Sequence, residues 1–341
     1  MNNNETILKI AEVRKLIKGQ KRDKLELLAE ELYKMLTKAQ KIDNNVAELL
    51  QNPGKEAAKA KTRKEDKLRP FGEVKTETIR FIDNAYAQNY LAPNRVVAKK
   101  DRPKWRFVAK KLYKELISHS QQAPNEKEAA ELLEKLYVML CYSCGYVLFT
   151  AYDPFESVGV AQTEFFDNVF QAIDRVTEKP EMIDKSIDLI VNNSLNRYTL
   201  YEELMDILLK HLATVDMKYL LIENCKSKRA VHSAKKPKSN RTLDEYDHKY
   251  LLNNLTKLIF KTYASLYETK NGIADYIAHY QEKTPEVKLY ILVSLLFNYN
   301  EKELIQEVLE EAIKQKIVLR QSLLNLLNHI QSKNSLPKYI S

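Results

Sequence analysis

The sequence predicts an all-α protein, and three observations carry that prediction. Apolar residues recur at i, i+3 and i+4 along most of the chain, the spacing that lays one stripe along one side of a helix. Glycine is scarce, with six in 341 residues, so turns that need positive φ have few natural sites. Prolines and Thr-x-x-Glu segments stand where the apolar periods begin, as helix starts require.

Taken in order, Leu25, Leu28, Leu32, Met35 and Leu36 mark the first amphipathic helix, between Lys24 and Leu50. Pro53, Gly54, Pro70 and Gly72 then interrupt the pattern, and Gln51 to Lys75 reads as a loop around a short charged helix. Next comes "RVVAKKDRPKWRFVAKKLYKEL", Arg95 to Leu116, with eight basic residues as far as Lys111 and the only Trp. Asp101 suits a cap and Pro103 a first turn. Trp105, Val108, Ala109, Leu112 and Leu116 fall on one face at about 100° per residue, opposite Arg106, Lys110 and Lys114. The spacing therefore places Trp105 in the core.

Further on, "TLYE" (Thr199 to Glu202) and "TLDE" (Thr242 to Glu245) fit capping boxes. The second opens a long helix with Leu251, Leu255, Leu258, Ile259, Thr262 and Leu266 on its core side. Between them "KSKRAVHSAKKPKSNR", Lys226 to Arg241, has seven cations and no acid and reads as a basic flexible linker. Residues 180–225 and 285–330 correspond loosely. Each opens at a proline, restarts at Thr199 with Glu202 or Asn300 with Glu303, and begins a third helix near Val215 or Lys316. The expected fold is a helical bundle in the N-terminal part followed by stacked antiparallel helices, a pattern that admits an α-solenoid-like arrangement. The expected division is a basic helical domain over 1–178, a first array over 179–225, the linker over 226–243 and a second array over 244–341.

Charge is distributed in blocks: net +12 over residues 1–115, −10 over 116–225, +7 over 226–243 and zero over 244–341, for +9 in all. Such blocks suit a polyanion-facing surface, and equally an acidic middle that covers its own basic neighbours. No apolar run reaches the roughly 20 residues that cross a bilayer, the opening residues lack a signal-peptide core, and three cysteines make no disulfide framework. The expectation is a cytoplasmic protein without membrane contact.

Most chemistries lose their support here. The glycines lie too far apart for a phosphate-cradling loop or a nucleophile elbow. "CYSC" offers Cys141 and Cys144 as metal ligands, with Cys225 and His232 as hypothetical partners, but their apolar surroundings favour buried thiols acting as small hydrophobes. A Glu-x-x-His pair occurs only at Glu245 and His248, while a di-iron bundle needs two. No catalytic set and no cofactor are expected. The remaining functional signal is polyanion binding through Arg95, Lys99, Lys100, Arg102, Lys104, Arg106 and Lys110, joined by Lys235, Lys236 and Lys238 of the linker.

Residues 42–173 resemble a bacterial family of all-helical proteins described only as a domain of unknown function. The segments that carry the resemblance are "AAKAKTRKEDKLRP", "RPKWRFVAKKLYKEL", "YVMLCYSCGYVLFTAYDPF" and "EFFDNVFQAI". It implies a helical fold and brings no functional residue with it. The sequence thus predicts a non-enzymatic scaffold or adaptor with a protein partner, and nucleic-acid binding as the alternative.

Overall fold

The computed structural model describes residues 10–43, 46–51, 68–234 and 242–340. Among them are seventeen α-helices and no strand, and none of these helices is long and apolar enough to cross a membrane. The chain divides into two compact units, Met1–Leu68 and Arg69–Ser341.

The first unit contains α1 (Ile10–Lys18), α2 (Arg22–Met35), α3 (Lys38–Asp43) and α4 (Val46–Gln51). The helix expected from Leu25, Leu28, Leu32 and Met35 is present as α2, yet it buries none of its residues. Val46 is the one buried side chain among the described residues of this unit. Here the apolar period formed a helix without forming a core.

The second unit begins with α5 (Phe71–Tyr86), α6 (Trp105–His119), α7 (Glu126–Gly145), the short α8 (Pro154–Val158) and α9 (Gln162–Val176). It continues with α10 (Lys179–Val191), α11 (Tyr201–His211), α12 (Val215–Ala234) and α13 (Thr242–Ser265). The last four are α14 (Thr269–His279), α15 (Pro285–Asn298), α16 (Lys302–Lys314) and α17 (Gln321–Lys333). Two hydrophobic cores result. The larger runs from Val74 through Trp105, Tyr137, Phe166, Ile187 and Leu208 to Ile259. The smaller gathers Tyr276, Val293, Leu296, Ile305, Leu309 and Leu323. Both use α13: Leu255, Leu258 and Ile259 face the first core, Phe260 and Ala264 the second. A helix that buries apolar residues on two sides belongs between two layers. Gly272 lets α14 close on it, since a Cβ there would lie 3.2 Å from the Phe260 carbonyl oxygen.

Scarce glycine has a visible consequence at helix ends. Tyr267, Asn300, Lys316 and Asn334, rather than glycines, take the left-handed conformation that turns the chain after α13, α15, α16 and α17. A residue with a Cβ pays roughly 1 kcal/mol or more for that geometry.

Several expectations are corrected. No boundary falls at 178, because Ile173 and Met182 sit in one core. The first half of the expected linker is helix: α12 runs to Ala234, and Arg229 is buried there. An amphipathic period with few apolar residues had passed for a linker because its inward-facing residue is a cation. Residues 235–241 lie outside the described residues. Asp101 makes no cap bond and pairs with Lys104 at 2.8 Å, so the turn Arg102–Lys104 is a 3-10 helix leading into α6. The box expected at Thr199 shifts by one residue: the Leu200 N–H donates to Glu203 Oε2 at 2.9 Å, and Glu202 is committed elsewhere. The side chains of "TLDE" lie outside the described ones. In the repeat, Pro180 and Pro285 both stand in first turns, while the third helix of the second copy opens at Gln321, after the turn at Lys316.

Candidate interaction surfaces

Trp105 is 2% exposed and stacks on Phe149 with ring centroids 3.9 Å apart, so it belongs to the core as its helical position predicts. The exposed aromatic is its neighbour Phe107, 62% exposed, with the Arg106 guanidinium 4.9 Å from its ring centroid. Lys104, Phe107, Lys111 and Lys114 are all exposed and follow one another at i, i+3, i+7 and i+10, on one side of α6. Phe107 and Lys111 thus join the outer side of the helix, where the periodicity already places Lys114.

The basic candidates have unequal freedom. Arg95, Lys99 and Lys100 are exposed on the loop before α6. Arg102 turns inward, donating from Nε to the Val97 carbonyl and from Nη2 to that of Asn94, both at 3.1 Å. Lys110 donates to the Gly159 carbonyl at 3.2 Å. Lys235, Lys236 and Lys238 lie outside the described residues.

The acidic middle does not cover this face. Its carboxylates pair with the basic stretch that follows it: Asp184 and Asp188 with Lys228 at 2.9 Å, Glu202 with Lys257 at 2.7 Å, and Asp206 with Lys261 at 2.7 Å. Among the described residues no ion pair joins segment 95–111 to the middle of the chain. Burial pushes the Glu202 carboxyl up, but the nearby Lys257 ammonium outweighs it, and the net shift is downward. Arg229 holds Asp275 through two hydrogen bonds of 2.6 and 2.7 Å, with Thr256 Oγ1 accepting a third at 3.1 Å, and thereby ties α12 to α13 and α14.

A second surface is a groove of about 530 Å³ between α14, α15 and α16. Ile273, Ile277, Leu289, Leu292, Leu304 and Val308 make its walls. Its charged lining residues are Lys270, Lys288, Glu307 and Glu311. Lys270 lies 3.5 Å from Glu307, with both side chains mostly exposed, a contact of the kind that salt screens readily. Burial lowers the affinity of Lys288 for its proton, and its ammonium donates to the Ile277 carbonyl at 2.7 Å.

The candidate metal ligands are not gathered into a site. Cys141 is buried, its Sγ accepting from Gln162 Nε2 at 3.2 Å. Burial pushes its thiol up, and pushes that of Cys144 up to about 12. Burial thus disfavours the thiolate at both positions. No group of three or more His, Cys, Asp and Glu capable of holding a metal occurs among the described residues. His119 is buried, with Nε2 3.0 Å from the Arg69 carbonyl oxygen, and His211 meets Asp167 at 2.5 Å beside the Phe170 ring.

Comparison of the chain with protein-family models, curated proteins and solved structures gave no match in any of the three.

Proposed function

We propose that this chain is a non-enzymatic helical adaptor that holds a protein partner in the groove between α14, α15 and α16. The supporting observation is an apolar groove whose lining also carries two lysines and two glutamates. Its occupant is an amphipathic helix, whose apolar stripe replaces water on Ile273, Leu292 and Val308. Charged residues flanking that stripe on the partner helix meet Lys270, Lys288, Glu307 and Glu311. A stack of antiparallel helices in the solenoid manner is the frame that presents such a groove.

A photo-crosslinking residue at Ala274, which lines the groove and is exposed, tests this in cells. The expected product is a crosslink to one amphipathic segment, suppressed by Val308→Trp. Diffuse crosslinking that Val308→Trp leaves unchanged overturns the reading.

A second reading, polyanion binding, is favoured by the uncovered face of α6, where Phe107 stands among Arg106, Lys111 and Lys114. Cations that track a phosphate backbone beside an aromatic on which a base stacks are the elements of single-strand binding. Anisotropy of a labelled oligonucleotide at several salt concentrations tests it. Absence of binding at low salt removes it.

A further inference from the structure

Away from both surfaces, the loops around the C-terminal end of α7 carry an unusual set of exposed side chains. Tyr152 and Tyr198 are 83% and 63% exposed. The Arg197 guanidinium lies 4.5 Å from the first ring centroid and 5.3 Å from the second. Tyr142, also exposed, touches Tyr86 and Tyr146, with centroids 5.6 and 5.3 Å away. The two groups meet where Gly145 packs on Ser194: a Cβ on Gly145 would lie 2.9 Å from the Ser194 hydroxyl.

The loop that carries Arg197 is fixed from beneath. Gln162 is fully buried; its Nε2 donates to the Ser194 carbonyl at 3.1 Å and its Oε1 accepts from the Asn196 N–H at 2.8 Å. Asn196 Oδ1 accepts from the Tyr198 N–H, and the Tyr201 hydroxyl donates to the Asn193 carbonyl. An arginine on an exposed loop ordinarily samples many rotamers. Here the backbone is pinned on both sides of it and two tyrosine rings lie beside its guanidinium, so ordering it on binding costs less entropy.

From this geometry we infer a binding site for an acidic segment of a partner protein, with one Asp or Glu carboxylate clasped by Arg197 between Tyr152 and Tyr198. A guanidinium beside aromatic rings still offers its N–H donors in the bidentate geometry of a carboxylate, and no carboxylate of the described chain forms an ion pair with it. Tyrosine and arginine are the residues that dominate protein–protein hot spots, because they bury large rigid surfaces with a polar tip. The charge count separates this site from a nucleic-acid surface. One arginine and no lysine stand among these tyrosines, which matches a single carboxylate and not a run of phosphates.

The test uses the full chain on an array of short peptides with a central Glu, Gln or Lys flanked by Pro, Leu, Val and Gly. Glu-centred peptides are expected to retain the protein in preference to the Gln- and Lys-centred sets. For the best of them, Arg197→Gln is expected to weaken binding about tenfold or more, as loss of a charge-assisted bidentate contact does. Arg197→Lys should recover only part of it, and Tyr152→Ala should weaken it as well, with helicity by circular dichroism unchanged. Equal binding of Glu- and Gln-centred peptides, or an affinity indifferent to Arg197→Gln, overturns the inference. So does Arg197-dependent retention of oligo-dT without any peptide preference. A peptide released by Val308→Trp and kept by Arg197→Gln belongs to the groove, and that result also counts against this site.

Discussion

Two sets of cations in this chain meet opposite fates. Arg95 to Lys111 stays at the surface, and the exposed cations Arg95, Lys99, Lys100, Arg106 and Lys111 have no acidic partner among the described residues. Lys228, Arg229, Lys257 and Lys261 are drawn into the fold: Lys228 and Lys257 pair with the acidic middle, the Lys261 side chain is 4% exposed beside Asp206, and Arg229 is buried against Asp275. The contrast shows that the number of charges in a segment does not fix its role. What decides is whether the helix turns its cations toward a carboxylate or toward water.

The largest test of that contrast is Arg229→Met. It leaves the Asp275 carboxylate with only the His279 imidazole, whose Nδ1 lies 3.4 Å away, and should cost about 3–5 kcal/mol in urea denaturation, whereas Arg229→Met with Asp275→Leu should restore most of the loss. Equal stability of the single and double variants would mean that the pair is not the tie between α12 and α14. Next comes the outer stretch. Reversing Arg106, Lys111 and Lys114 to Glu should leave the melting temperature nearly unchanged while abolishing any oligonucleotide binding. Neutralising them should lower the log–log salt slope by roughly 2–3. The same reversal at Lys226 and Lys228 should do the opposite, lowering stability with no effect on binding.

A smaller effect follows from Glu202. Lys257 holds the folded carboxyl below its ordinary range, so the pair stabilises the fold above the unfolded carboxylate pKa of about 4.3. That contribution is lost as pH falls through the lowered folded value. The stability gap between the native chain and Lys257→Met should therefore be full at neutral pH and shrink on acidification below about pH 4; a constant gap would contradict it. The smallest effect belongs to the exposed Lys104–Asp101 pair, where Lys104→Ala should change stability by less than about 1 kcal/mol in the same denaturation assay.

How legible each part was depends on the range of the physics involved. Trp105 was placed correctly because its burial follows from the periodicity of one helix and needs no knowledge of Phe149. The core side of α13 was legible for the same reason, with Leu255, Leu258, Ile259 and Thr262 all buried. Arg229 was not, since a buried cation breaks the apolar period and its justification, Asp275, lies 46 residues away. The groove was equally hidden: its walls come from three helices, and each wall alone looks like an ordinary apolar stripe. The tyrosine and arginine cluster was hidden because it is assembled from loops whose juxtaposition depends on one buried glutamine.

The sequence by itself determined that the chain is all-helical, where most of its helices run, and which faces of α6 and α13 are apolar. Those follow from interactions within three or four residues. Tertiary structure alone decided that α2 keeps its apolar stripe exposed, that the acidic middle pairs with Lys228, Lys257 and Lys261 and leaves Lys111 uncovered, and that α14, α15 and α16 enclose a groove. Those outcomes depend on which faces meet, and local periodicity sets what a face is made of without choosing what it meets.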